Sequence, residues 1–112
     1  MTGITTHVLD TARGRPAAGI AVSLARRTGE TWTELAAART DSAGRVANLL
    51  PGDLKNPAGT YRLRFDTGAY FAAQGVASFH PSVEIVFEIR DSEHYHVPLL
   101  VSPFGYTTYR GS

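Results

Sequence analysis

The chain has 112 residues, of which 43% are hydrophobic and 19% charged, with a formal net charge of +1 and no cysteine. That length supports one domain, spanning residues 1–112, which buries roughly two-thirds of its unfolded surface. The near-neutral charge argues against nucleic-acid and anionic-membrane partners, and the missing thiols exclude disulfides, thiolate metal sites and cysteine nucleophiles.

In chain order, Thr6-His7-Val8-Leu9-Asp10 reads as a strand running into a turn at Arg13-Gly14-Arg15-Pro16-Ala17. Alternation groups His7 with Thr5 and Leu9, and sets Ile4, Thr6 and Val8 on the other face. After the Gly14–Gly19 turn, Ile20, Val22 and Leu24 share a face against Ala21, Ser23 and Ala25. Turn residues recur at Thr28–Glu30 and Asp41–Gly44, and Pro51–Gly59 is the longest candidate loop, expected to be exposed. Tyr61, Leu63 and Phe65 oppose Arg62, Arg64 and Asp66 in the next strand. Thr67–Gly75 breaks the pattern. It is rich in alanine, with Thr67 placed to cap a short helix and Gly75 to close it. Beyond His80–Ser82, Val83, Ile85, Phe87 and Ile89 face away from Glu84, Glu88 and Arg90. Frequent turns between segments of strand length predict an all-β sandwich or barrel.

The strand at Tyr95–Val101 carries the most chemistry. Tyr95, Val97, Leu99 and Val101 take one face, leaving His94, His96, Pro98 and Leu100 on the other. If the first set fills the core, both histidines point outward beside two apolar residues. A solvated face seldom carries such companions, so a subunit interface is the natural cover.

Two chemistries suit His94-x-His96. With His7 as a third imidazole the pair can hold zinc, although no Asp, Glu or Cys lies at a spacing that would join them. Alternatively, an imidazole near its ordinary pKa suits acid–base catalysis. Asp41-Ser42-Ala43-Gly44-Arg45 is first of all a turn, with Gly44 supplying a positive φ, and its arginine by itself reads as a surface charge. His80, in Phe79-His80-Pro81, reads as a structural loop residue. A Ser-His-Asp triad built on Ser112 is disfavoured, because a serine at the last position is poorly held and no acidic partner is marked.

The last four residues, Tyr109-Arg110-Gly111-Ser112, resemble the closing tetrapeptide of the 5-hydroxyisourate hydrolases, a branch of the transthyretin-related proteins. His7 before Val8-Leu9-Asp10, Arg45 in its Gly-Arg turn, and His96 before Val97-Pro98-Leu99-Leu100 are similar to that family's motifs in the same order. The resemblance covers essentially the whole chain. It implies a transthyretin-like β-sandwich of two four-stranded sheets with one short helix. It further implies a homotetramer, with active sites in a channel at the dimer–dimer interface. The implied reaction is hydrolysis of 5-hydroxyisourate to 2-oxo-4-hydroxy-4-carboxy-5-ureidoimidazoline, in urate breakdown, without metal or other cofactor. Carried over residue by residue, His7, Arg45, His96 and Ser112 are catalytic, and His7, Arg45, Tyr109 and Arg110 bind substrate. Support of His96 is one role open to His94, whose part is left undecided, as is which histidine is base and which is acid.

Two other classes compete. A non-catalytic, transthyretin-like small-molecule binding protein would share the fold, but the carrier lacks the enzymes' histidine, arginine and terminal tetrapeptide. An immunoglobulin-type structural sandwich would explain the alternation alone. No stretch approaches the roughly 20 apolar residues of a membrane helix. The opening residues lack a signal-peptide pattern and the closing ones a Ser-Lys-Leu address, so the expected location is the cytoplasm.

Overall fold

The computed structural model describes residues 2–112. Its strands are β1 (Gly3–Asp10), β2 (Arg15–Pro16), β3 (Ala21–Thr28), β4 (Thr31–Arg39), β5 (Arg45–Val46), β6 (Gly59–Phe65), β7 (Val83–Ile89), β8 (His94–Ser102) and β9 (Gly105–Thr108). One helix, α1 (Thr67–Ala72), follows β6. The strands form two sheets, as the alternation predicts. One has the order β4-β3-β6-β7, and the other β2-β1-β8-β9 with β5 also on β1.

The second sheet therefore has five strands where four were expected. The position beside β1 is shared end to end by two short strands, β2 against Leu9 and Asp10, β5 against Thr6 and His7. Between them Val8 bridges both segments: its N–H donates to the Gly44 carbonyl, and its carbonyl accepts from the Ala17 N–H. The Asp41–Arg45 turn is thereby tied to the middle of β1.

The inward-facing sets match the expected ones. Ile20, Val22, Leu24, Tyr61, Leu63 and Phe65 are buried, as are Tyr95, Val97, Leu99 and Val101 from the other sheet. A register shift between Leu24 and Ala25 buries Ala25 as well, so the alternation of β3 fails there. β4 carries Ala36-Ala37-Ala38, good helix formers that nevertheless pair with Leu24, Ser23 and Val22 of β3, across a hairpin whose Gly29 has φ +65°. Tertiary pairing overrides propensity in such a segment.

The helix is real but shorter than Thr67–Gly75, and its cap lies elsewhere. Asp66 occupies the cap position without a side-chain capping bond. Thr67 is the first helical residue, and its buried hydroxyl has no hydrogen-bond partner among the described residues. The Gly75 N–H bonds the Ala72 carbonyl at φ +71°, ending the turn that continues past the helix. α1 is fastened to β1 by the Tyr70 hydroxyl, which donates to buried Asp10 at 2.8 Å. Burial, and then the bond to Asp10, push the Tyr70 phenol above its usual range. Among the described residues no helix is long and apolar enough to cross a membrane.

Leu99 is fully buried on β8, directly behind the outward face that carries His96 and Pro98. Leu99→Ala is expected to lower unfolding free energy by about 3 kcal/mol, read from the urea midpoint at constant m-value.

Candidate active site

β1 and β8 run parallel, with Gly3 opposite His94, Thr5 opposite His96 and His7 opposite Pro98. Because the inner residues of both strands are committed to the core, Thr5, His7, His94 and His96 emerge together on the outer surface. β5 extends that surface by placing Arg45 opposite His7. A cleft of about 340 Å³ opens there, lined by Thr5, Asp41, Arg45, His94, His96 and Ser112 among others. That volume falls within the ordinary range for small-ligand sites.

Each functional side chain is held by identifiable bonds. His7 Nε2 lies 2.9 Å from the Ala43 carbonyl. A carbonyl only accepts, so Nε2 carries a proton in this bond, and Nδ1 is the nitrogen left for other partners. Asp41 Oδ1 accepts from the N–H groups of Ala43 and Arg45, both at 2.9 Å, which fixes the turn that presents Arg45. Gly44 is required in that turn. Its φ is +76°, and an added Cβ would collide with the Val8 carbonyl oxygen. Among the described residues Arg45 takes part in no ion pair, so its charge is available to a ligand.

His96 is half-buried at the floor of the cleft. Its Nδ1 lies 2.8 Å from Thr5 Oγ1, and the same hydroxyl lies 2.9 Å from His94 Nε2. Burial is the largest influence lowering the His96 pKa, and the positive fields of His7, Arg45 and His94 add to it. These influences favour the neutral form of the ring.

The closing residues return to His96. β9 pairs with β8 from Ser102 to Leu99, and after a lapse Gly111 pairs with His96 in the same register. Pro98 lies at the lapse. It has no N–H to give the ladder, and its carbonyl instead accepts the Thr108 hydroxyl at 2.7 Å. The Gly111 N–H then donates to the His96 carbonyl at 2.8 Å. A Cβ on Gly111 would lie 2.5 Å from His96 Cδ2, so only glycine lets the backbone lie against that ring.

Of the residues singled out from sequence, His96, Arg45 and Ser112 line one cleft, whereas His7 is outside that lining and lies opposite Arg45 in the β1–β5 pairing. Tyr109 and Arg110 do not line it. They border a second hollow with Ile85, Phe87, Tyr95 and Val97. Arg110 stacks its guanidinium 4.2 Å from the Tyr95 ring centroid and lies 3.6 Å from a Glu93 carboxylate oxygen. Tyr95 is itself fixed by donating to Asp91 at 2.8 Å, a bond that holds the Asp91 carboxyl below its usual value. His80 packs edge-on against Phe79 and Tyr106, as a structural residue would. Among the described residues no three of His, Cys, Asp and Glu are grouped to hold a metal ion.

Thr5 escaped the sequence reading. Alternation places it on the face of His7, but a hydroxyl there carries no catalytic signal until β8 lies alongside.

Comparison with known proteins is consistent with this geometry. Residues 4–111 match the HIUase/Transthyretin family. The chain is 49% identical to the 5-hydroxyisourate hydrolase of Mus musculus, an alignment covering 97% of this chain and 94% of the mouse protein. The structure of Klebsiella pneumoniae 5-hydroxyisourate hydrolase superposes with a TM-score of 0.85 at 42% identity, covering 98% and 99% of the two chains. Sea bream transthyretin in complex with thyroxine superposes at 0.90 with 38% identity, covering 97% and 94%. The fold is common to both, so it does not by itself choose between a hydrolase and a carrier.

His96 should titrate below the ordinary histidine value of 6.5, followed by its imidazole proton resonances in NMR. The sign extends to stability. As pH falls through 6.5 the unfolded chain binds this proton before the folded one, so folding stability declines there. A midpoint at or above 6.5 would remove the environment assigned to the ring.

Proposed function

Because this chain belongs to the HIUase/Transthyretin family, we propose that it hydrolyses 5-hydroxyisourate in the His96 cleft, opening a cyclic amide of the substrate. One observation carries the reading. An imidazole kept neutral by burial shares a small cleft with an unpaired guanidinium, and a second, differently tethered imidazole stands beside it. That set can move protons and stabilise an oxyanion, whereas an apolar ligand needs neither.

The roles follow from which ring nitrogens are free. The Ala43 carbonyl holds the proton of His7 on Nε2, leaving Nδ1 to take a proton from the attacking water. Negative charge develops on the amide oxygen, and Arg45 is the group able to offset it, a contribution of about 3–4 kcal/mol for one such donor. The leaving nitrogen needs a proton, and His96 Nε2 supplies it. A neutral ring gives up that proton only if Nδ1 takes one in as Nε2 loses its own, since an imidazolate would otherwise form. Ser112, bordering the same cleft, offers a hydroxyl to position the water or the ring. No step calls for a metal or an organic cofactor.

Arg110 serves as an anchor rather than a substrate contact, since Tyr95 and Glu93 already engage it. Tyr109 lies outside the protomer's cleft, so its substrate contact belongs to the assembled protein. We take the assembly to be a homotetramer with this face between dimers. Support comes from Leu9 and Leu100, half-buried apolar residues that share the outer face with the histidines.

The test generates 5-hydroxyisourate in situ with urate oxidase and follows its absorbance against spontaneous decay. The protein should accelerate the loss, and His96→Ala and Arg45→Ala should each reduce kcat about a hundredfold or more. No acceleration by the folded protein, together with tight binding of a thyroxine-like ligand, would support the carrier reading instead. Gly111→Ala should lower kcat about tenfold by displacing the His96 ring, with a smaller effect on KM.

A further inference from the structure

Among the described residues Thr5 Oγ1 is the one group that links two imidazoles in this cleft. It lies 2.9 Å from His94 Nε2 and 2.8 Å from His96 Nδ1, on the strand that pairs in register with both. A hydroxyl has one proton to donate and lone pairs to accept with, so it cannot donate to both rings at once. When His94 donates to Thr5, Thr5 donates to His96, and the neutral His96 ring then carries its proton on Nε2. When His96 donates to Thr5, Thr5 donates to His94, and His96 Nε2 becomes a lone pair. The two arrangements differ only in where protons sit.

We propose that His94 and Thr5 form a proton relay behind His96, supplying the acid of the hydrolytic reaction from the protein surface. The inference rests on the hydrolytic reading above. Its outer end is open, since His94 is exposed whereas His96 is half-buried. In the step, His94 enters protonated on both nitrogens and passes its Nε2 proton to Thr5 Oγ1. Thr5 passes its own proton to His96 Nδ1, and His96 releases the Nε2 proton to the leaving nitrogen as the C–N bond breaks. His94 ends neutral, Thr5 is unchanged, and His96 ends as the Nδ1–H tautomer. The starting state returns when His96 Nε2 takes a proton from water entering the emptied cleft and Nδ1 hands its proton back through Thr5 to His94. The proton taken from water by His7 leaves separately through that ring.

The charges facing His96 explain the need for such a device. His7 on β1, Arg45 on β5 and His94 on its own strand all oppose a cation at this position. Once His7 has taken the proton from water, a second imidazolium beside it and Arg45 would be costlier still. The relay lets His96 act as an acid without ever holding a full charge, because the charge starts on exposed His94. Thr5 and His94 touch no reacting atom in this scheme and act only through His96.

The experiment compares Thr5→Val, Thr5→Ser and His94→Asn with the wild-type protein in the coupled urate oxidase assay. Valine keeps the branched strand side chain and removes only the hydroxyl function. Thr5→Val and His94→Asn should each lower kcat about tenfold or more with KM within about twofold, and Thr5→Ser should recover most of the rate. The double variant should be no slower than the slower single one, since both cut the same chain. Wild-type kcat in Thr5→Val, or losses that multiply in the double variant, would overturn the relay. A separate readout covers the rings themselves. In ¹⁵N NMR, protonating His94 should shift the His96 tautomer in the wild type but not in Thr5→Val. Absence of that coupling in the wild type overturns the relay even if hydrolysis is confirmed. An inert wild type overturns the hydrolytic reading, and the relay with it as a catalytic device.

Discussion

The parallel pairing of β1 with β8 is the constraint on which the rest of this protein depends. Eight residues from Gly3 to Asp10 lie in register with His94 to Val101, and both strands face the core with one residue in two. Burial of Ile4, Val8, Tyr95, Val97, Leu99 and Val101 locks that register, since a slip of one residue would turn the apolar set to the surface. The same parity sends Thr5, His7, His94 and His96 outward. Core packing and site geometry are thus one decision, taken at the hydrophobic face and read out on the polar one. Buried Thr6 adds to the lock by donating its hydroxyl to the Val97 carbonyl at 2.6 Å.

Two close approaches, each permitted by a glycine, complete the site around that pair. Gly44 brings the Asp41–Arg45 turn against the Val8 carbonyl, which sets the guanidinium beside His7. Gly111 brings the closing segment against the His96 ring after the interruption at Pro98. Arg110 secures that segment from the opposite side of β8 by stacking on Tyr95. The tetrapeptide therefore works as alternating parts, with one residue anchored on the inter-sheet side and the next meeting the imidazole.

The similarity to both hydrolases and carriers is physically intelligible in these terms. The sandwich needs only its inward residues, and those tolerate any outward chemistry that leaves the register alone. Superposition on sea bream transthyretin at 0.90 and on the Klebsiella pneumoniae hydrolase at 0.85 reflects this shared core. In this chain the outward side chains of that shared frame include His96, whose cation is disfavoured by burial, and Arg45 in the same cleft.

Period-two alternation alone identified the inward faces of β3, β6, β7 and β8, and put both histidines of the last long strand on the outside. Motif order alone grouped His7, Arg45 and His96. The cap of α1 was misplaced by one residue, because Asp66 and Thr67 are both competent caps and the choice rests on how the chain leaves β6. β4 was hidden because an alanine-rich edge strand has no pattern of its own until β3 pairs with it. Thr5, the anchoring of Arg110 and the lapse at Pro98 are invisible for a related reason. Each depends on a neighbour brought from 15 to 91 positions away in the chain, or from across the sheet. The sequence by itself determined which side of β6, β7, β8 and the first part of β3 is apolar, since that is local and periodic. Only the tertiary structure decided which outward residues meet, because partnership between strands is set by register in a core that forms as a whole.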